Sequence, residues 1–366
     1  MSLNAGIIGG GMNAEVHAAA IRGAGHRLAG LVASSAATTH TAAQKLSSRA
    51  YTSTAEMLAD PNIDVVHICT PNATHGQFTR DAVAAGKRII CEKPLSTSLD
   101  DALALTELVH ETGSETAVPF VYRFYPLIRE MRSRIGDGGR ILMLRGSYLQ
   151  DWLADAHATN WRVSPADGGP SRAFADIGVH LCDLLEFVSG ERIASLTCQL
   201  TTSFARRGGV AITTEDIASV LFRTTSGIPG ALTVSQVSLG QKNRLVVSID
   251  ATNGSYEFDQ ENPDRLTIGG LGSSETIFRA SGGMLAADAQ RINRLPAGHP
   301  QGYQDAFTAF VRDAYASFGG AQIDGLPTFA DGLRAAVLTD AVMRSASMRE
   351  WVDVPEPRLV VTSGAA

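Results

Sequence analysis

The stretch "GIIGGGMNAEVHAAA", residues 6–20, decides the first half of the fold. An apolar run ends at Gly9, a Gly9-x-Gly11-x-x-Ala14 turn follows, and an alanine-rich helical pattern starts at once. A strand, a glycine turn and a helix in this order open a dinucleotide-binding βαβ unit. Gly9 makes the tight turn and Gly11 lets a pyrophosphate approach the backbone. Met12 and Asn13 carry the turn into the helix, whose free N–H groups face the anion. A plain glycine-rich turn is the competing reading, and the strand before and helix after argue against it.

Outward from this unit, apolar runs alternate with helical patterns. The runs "HRLAGLVAS" (26–34), "IDVVHICT" (63–70), "KRIICE" (87–92) and "ETAVPFVY" (115–122) are separated by "HTAAQKL", "THGQFTRDAVAAG" and "SLDDALALTELVHETG". This rhythm predicts an α/β Rossmann domain with a doubly wound parallel sheet over residues 1–122. Beyond Pro126 the rhythm changes. A helix ("LIREMRSRI"), a strand ("RILMLRGSYLQ"), a loop over 151–175 and a helix over 176–189 lead into successive strands as far as "DRLTIGG". Helices near 301–318 and 328–348 follow. An α+β domain over 123–350 is expected, with a large, mostly antiparallel open sheet for substrate binding and oligomerisation. Residues 351–366 form a C-terminal segment whose end, "VTSGAA", reads as disordered.

The 366 residues suffice for two cores, and a 19% charged content is that of an ordinary globular chain. A net charge of -6 without a basic run excludes nucleic-acid phosphate as a partner. No apolar stretch is long enough for a membrane span, and no signal peptide is recognisable. Cys69, Cys91, Cys182 and Cys198 show no C-x-x-C spacing. A cytoplasmic protein with reduced cysteines is expected.

A doubly wound sheet delivers ligands to the carboxyl ends of its strands. Ser34, Thr70 and the pair Glu92-Lys93 stand at such ends, and Thr70-Pro71-Asn72 with His75 edges the same crevice. No Asp or Glu occurs between Glu15 and Glu56. Ser34 and Ser35 therefore stand where a ribose-reading acid belongs, and the element that repels a 2′-phosphate is missing. No cation follows Ser34 directly; Lys45 is the nearest downstream. NADP or NAD is expected, leaning slightly to NADP. Pro94 restricts the residue before it, so Lys93 is aimed. It can meet a cofactor ribose or a substrate oxygen, or it can form a structural ion pair.

A helix drawn from Asp176 places Asp176, His180 and Asp183 on one face and Ile177, Leu181, Leu184 and Val188 on another. An acid one turn before a histidine orients the ring and raises its basicity, as a general base for an alcohol requires. The competing readings are a capped helix with a satisfied histidine, and a metal site. No further ligand cluster supports a metal, and none is expected.

Together, G-x-G-x-x-A, "TPNATH" (70–75), "EKP" (92–94), "YRFYP" (122–126) and "DIGVH" (176–180) resemble the glucose–fructose oxidoreductase / inositol dehydrogenase (Gfo/Idh/MocA) family. The resemblance runs from about Ala5 to Met348. It implies an NAD(P)-dependent oxidoreductase acting on a sugar or cyclic polyol hydroxyl, with Lys93, Asp176 and His180 catalytic. It assigns Thr70, Pro71, Asn72, His75, Glu92, Trp161 and Arg162 to the cofactor cleft, and it implies a homodimer or homotetramer. Ser34-Ser35 departs from the family, which carries an acid there or a serine followed by arginine. Arg123, Tyr148, Asp151, Trp152, Trp161 and Arg172 are expected on the substrate wall, since aromatics mixed with hydrogen-bonding groups suit a polyhydroxylated ring. Two rivals keep the fold: an NAD-dependent glycosidase using transient oxidation, and a catalytically inactive dinucleotide sensor.

Overall fold

The computed structural model describes residues 2–137, 139–279 and 285–357; the segment "VTSGAA" lies outside them. The chain divides into two units, residues 1–119 with 307–336 and 356–366, and residues 120–306 with 337–355.

The first unit holds β1 (Asn4–Ile8), α1 (Met12–Gly23), β2 (Arg27–Val32), α2 (Ala36–Lys45), β3 (Arg49–Ala50), α3 (Thr54–Ala59), β4 (Val65–Ile68), α4 (His75–Ala84), β5 (Arg88–Cys91), α5 (Leu99–Thr112) and β6 (Thr116–Ala117). The strands pair in the order β3-β2-β1-β4-β5-β6, all parallel. Strand order reverses at β1/β4, which is where doubly wound sheets bind their ligands. β4 is buried along its whole length, as a strand covered on both faces must be. α1 lays Ala14, His17, Ala18 and Ile21 inward, one stripe at helical spacing.

The second unit begins with α6 (Pro126–Gly136) and β7 (Ile141–Leu149), continues through the short α7 (Pro165–Gly168) to α8 (Val179–Ser189), and then runs as strands: β8 (Ile193–Thr201), β9 (Arg206–Arg207), β10 (Val210–Ala211), β11 (Ile217–Thr224), β12 (Pro229–Ser235), β13 (Arg244–Ala251), β14 (Gly254–Asp259), β15 (Arg265–Gly269) and β16 (Ser274–Phe278). The short α9 (Ala287–Ile292) follows. α10 (Tyr303–Ser317) and α11 (Phe329–Met348) each run through the division between units, and β17 (Val352–Asp353) ends the order. Nine strands pair as β16-β15-β14-β13-β7-β12-β11-β8-β17, antiparallel except for β12 with β7. From Ala218 on, β11 alternates between buried and exposed positions, so at this strand the sheet has one covered and one open face. α8 lies against β7 at Gly146, where a Cβ would come 2.7 Å from Leu181 Cδ1.

The structure departs from the sequence expectation at four places. "ETAVPFVY" yields only the two-residue β6, and Val121–Phe124 is a 3₁₀ turn. β3 and α3 fill a segment with no clear periodicity, β17 and α9 are too short for one, and β16 is exposed along nearly its whole length and carries no apolar alternation. The helix drawn from Asp176 is a π-helical turn over Phe174–Gly178 that leads into α8. Its wider winding displaces Asp176 from the 100° spacing assumed for it. No described helix is long and apolar enough to cross a membrane.

Candidate active site

The cofactor side is built in the first unit. Gly9 has φ +132°, and a Cβ there would lie 2.5 Å from the Cys69 carbonyl oxygen, so the turn admits only glycine. A Cβ at Gly11 would meet nothing within 4 Å. Gly11 is the N-cap of α1, and no side chain caps it. Met12 is 74% exposed. An uncovered helix start behind a glycine turn fits a dinucleotide pyrophosphate. Ser35 caps α2, its Oγ accepting from the Thr38 N–H at 3.1 Å, while Ser34 is exposed just before it. Lys45 is bonded to Glu15 at 2.5 Å.

At the ends of β4 and β5, His75 ties two loops together. Its ring is buried, with Nδ1 2.7 Å from the Pro94 carbonyl oxygen and Nε2 2.9 Å from that of Thr70. Burial lowers its pKa, and the two carbonyls and the Glu92 charge act in the opposite sense. Asn72 lies in a 3₁₀ turn between Pro71 and α4. Glu92 is buried and accepts the Lys93 N–H at 3.3 Å; the Lys93–Pro94 peptide is cis.

The second unit carries the acid and the histidine. Asp176 sits in the π-turn, whose start is capped from β11's approach. Glu215 accepts the Phe174 N–H at 2.9 Å, the Arg172 N–H at 3.0 Å and the Ser171 hydroxyl at 2.8 Å. The Asp176 carboxylate takes a hydrogen bond from Gln236 Nε2 at 2.9 Å and lies 3.3 Å from Arg162 Nε. His180 opens α8 and is 9% exposed, edge-on to Tyr122 and Phe120 at centroid distances of 5.2 and 5.6 Å. Tyr122 OH is hydrogen-bonded to Tyr148 OH, which donates to Asn243 Oδ1 at 2.8 Å. Gln150 Nε2 donates to the same oxygen at 2.7 Å, and Trp152 Nε1 donates to Gln150 at 2.8 Å. Burial raises the pKa of both tyrosines, so they act as neutral hydroxyls.

Residues 3–120 match the oxidoreductase family with an NAD-binding Rossmann fold, and residues 128–257 match the GFO/IDH/MocA C-terminal domain. The chain belongs to the GFO/IDH/MocA family. The levoglucosan dehydrogenase of Pseudarthrobacter phenanthrenivorans is 29% identical over 331 residues, 82% of each chain. The inositol 2-dehydrogenase of Rhizobium meliloti is 28% identical over 370 residues, covering 97% of this chain and 100% of that one. A levoglucosan dehydrogenase solved in complex with NADH and levoglucosan superimposes with a TM-score of 0.90 at 28% identity, over 98% of this chain and 100% of that one. GFO/IDH/MocA membership makes the protein an NAD-binding oxidoreductase whose relatives are sugar and polyol dehydrogenases.

Against that family frame, the other expected wall residues divide. Tyr148 and Trp152 belong to the hydrogen-bonded aromatic cluster beside His180. The Arg162 guanidinium lies over Trp161, its Cζ 4.4 Å from the ring centroid. Asp151 is held by Lys242 Nζ at 2.6 Å and the Gly240 N–H at 3.1 Å; the Lys242 bond lowers its pKa. Arg123 forms a two-pronged ion pair with Asp183. Arg172 is fully buried and shares the Asp216 carboxylate with Arg207, at 2.5 and 2.8 Å. Its guanidinium is engaged inside the unit by Asp216 and Thr214, which suits a structural pin. Gln236, Asn243 and Tyr122 were not singled out from the sequence. Only Tyr122 carried a signal, as the first residue of "YRFYP". The two amides come from a loop whose pairing no local pattern reveals.

Proposed function

We propose that the protein is an NAD(P)-dependent dehydrogenase interconverting a sugar or cyclic polyol hydroxyl and its ketone. The bound nicotinamide supplies the hydride acceptor. His180 takes the hydroxyl proton on a ring nitrogen. Asp176, fixed by Gln236 and Arg162, orients the imidazole and stabilises it once protonated. Lys93 hydrogen-bonds the reacting oxygen and the cofactor side. Tyr148, Trp152, Trp161 and Asp151 face the sugar, with Tyr122 and Asn243 added to them. The observation that carries this reading is the Asp176 carboxylate held by two neighbours, one turn from a nearly buried histidine set among tyrosines.

The first unit serves the dinucleotide, and the second unit, which holds Tyr122 as well as His180, serves substrate and assembly. The exposed Ser34, with no acid near it in sequence, makes NADP acceptable as well as NAD, with a mild preference for NADP or none. The open sheet face, where Leu221 is 54% exposed, suits a homodimer or homotetramer. Sedimentation at only the 38.6 kDa chain mass would refute that. Four free cysteines fit a reducing cytoplasm. The catalytic assignment is tested with Lys93→Ala and His180→Ala. Each lowers kcat by about 100-fold or more, and dinucleotide binding survives His180→Ala. Near-normal turnover by His180→Ala on the best substrate would overturn it.

A further inference from the structure

We propose that Tyr315, His67 and His17 form a one-way chain of hydrogen bonds that holds the Glu92 carboxylate, and with it the main chain at Lys93, in place. The proposal rests on the dehydrogenase reading only for the role of Lys93. The chain lies wholly within the first unit. Tyr315 OH is 2.7 Å from His67 Nε2, His67 Nδ1 is 2.7 Å from His17 Nδ1, and His17 Nε2 is 3.0 Å from Glu92 Oε1. Both rings are 0% exposed, and Glu92 is 6% exposed. The other Glu92 oxygen accepts the Lys93 N–H.

The direction of the chain follows from what each atom can do. A carboxylate only accepts, and a neutral imidazole has one donor nitrogen and one acceptor. His17 therefore carries its hydrogen on Nε2 and accepts on Nδ1. His67 then carries its hydrogen on Nδ1 and accepts on Nε2, and the Tyr315 hydroxyl donates to it. Every junction has one donor and one acceptor, and Glu92 holds the only charge. A protonated His17 would reverse His67, add a second buried charge and send the Tyr315 hydrogen to a new acceptor. The other titratable neighbours are Lys93, His75, Cys69 and Cys91 around Glu92, and His26 and Asp64 around Tyr315. Burial keeps both thiols protonated, so they add no charge.

The carboxylate sets the polarity, and Tyr315 completes the chain at the end remote from Lys93 by donating to His67 Nε2. Without its hydroxyl, that buried nitrogen is an acceptor that has lost its donor, and the His67 ring loses one of its two anchors. His67→Asn differs: its amide can still donate where Nδ1–H stood, so His17 keeps its tautomer, and no orphaned ring nitrogen is left. These are positioning residues, acting through Glu92 on Lys93.

The test is ¹⁵N NMR of the histidine ring nitrogens in the full chain at neutral pH, with steady-state kinetics on the same variants. The wild type is expected to show His17 protonated only at Nε2 and His67 only at Nδ1. Tyr315→Phe should leave His17 protonated only at Nε2, since the carboxylate still accepts there, and should lower kcat by about tenfold as His67 loses its anchor, with cofactor affinity changed less than about twofold. His67→Asn should keep both the tautomer and kcat within about threefold. His17 protonated at Nδ1, or at both nitrogens, in the wild type would overturn the proposal, as would a Tyr315→Phe enzyme with unchanged kcat. The NMR arm needs no substrate, so failure of the dehydrogenase reading shows separately, as absent turnover by the wild type.

Discussion

Asp216→Asn should strongly destabilise the second unit. Asp216 is 0% exposed, as are the Arg172 and Arg207 side chains that share its Oδ1. Its Oδ2 accepts the Ser203 N–H at 2.7 Å and the Phe204 N–H at 3.4 Å. Burial pushes the carboxyl pKa up, but the two guanidiniums and the main-chain donor outweigh it and hold it below the usual carboxylate range. The asparagine keeps an oxygen for the two N–H groups and turns an amide NH₂ towards two cations. Breaking a buried ion pair by removing one partner costs about 3–5 kcal/mol, because the remaining charge stays buried. In a unit of about 200 residues, each kcal/mol moves Tm by about 2–4 °C, so the expected fall is about 6–20 °C. Denaturant unfolding and a thermal melt at fixed protein concentration measure it. A loss below about 1 kcal/mol would refute the reasoning: it would mean that Glu215 or solvent compensates the guanidiniums. The same pin underlies the π-turn bearing Asp176, so the variant should also lose turnover in any fraction that remains folded.

Two further outcomes follow. Ser34→Asp restores the missing acid and should move the kcat/KM ratio towards NAD by at least about tenfold, or roughly 1.4 kcal/mol. A wild type that strongly favours NAD would place the choice elsewhere. Burial lowers the pKa of His67 and His75 in the folded chain. The unfolded chain then binds more protons below about pH 6.5. Stability should be full above that pH and fall as pH drops through about 6.5, by up to about 1.4 kcal/mol per unit for each ring. His67→Asn should flatten that slope, as urea unfolding at about pH 7.5 and about pH 5.5 would show. An unchanged slope would contradict the assignment.

What the sequence revealed, it revealed through local pattern. The Gly9–Ala14 turn needs only nearest-neighbour chemistry, and the apolar runs of β1, β2, β4 and β5 are short and buried, so both were legible. β3, β6 and β17 are two residues long, too short for any periodicity. The π-turn is set by Glu215, more than 35 residues downstream, so no count of 100° per residue could find it. Arg172 illustrates the same limit. It was expected on the substrate wall, whereas Asp216 and Thr214, brought in by the loop before β11, engage its guanidinium. Buried amides such as Gln236 carry no sequence signal, because their role is set entirely by the partner they meet.

The reaction proposed for the protein is net oxidation of a sugar or polyol at the expense of the dinucleotide. The direct measurement is to incubate the purified chain with NADP or NAD and a panel of sugars and inositols, following reduced cofactor by absorbance and ketone product by mass. We predict that at least one member gives reduced cofactor and ketone in equal amounts, and that the His180→Ala chain does so at least about 100-fold more slowly. Substrate turnover with no net cofactor reduction, or tight dinucleotide binding with no turnover of any panel member, would contradict the account.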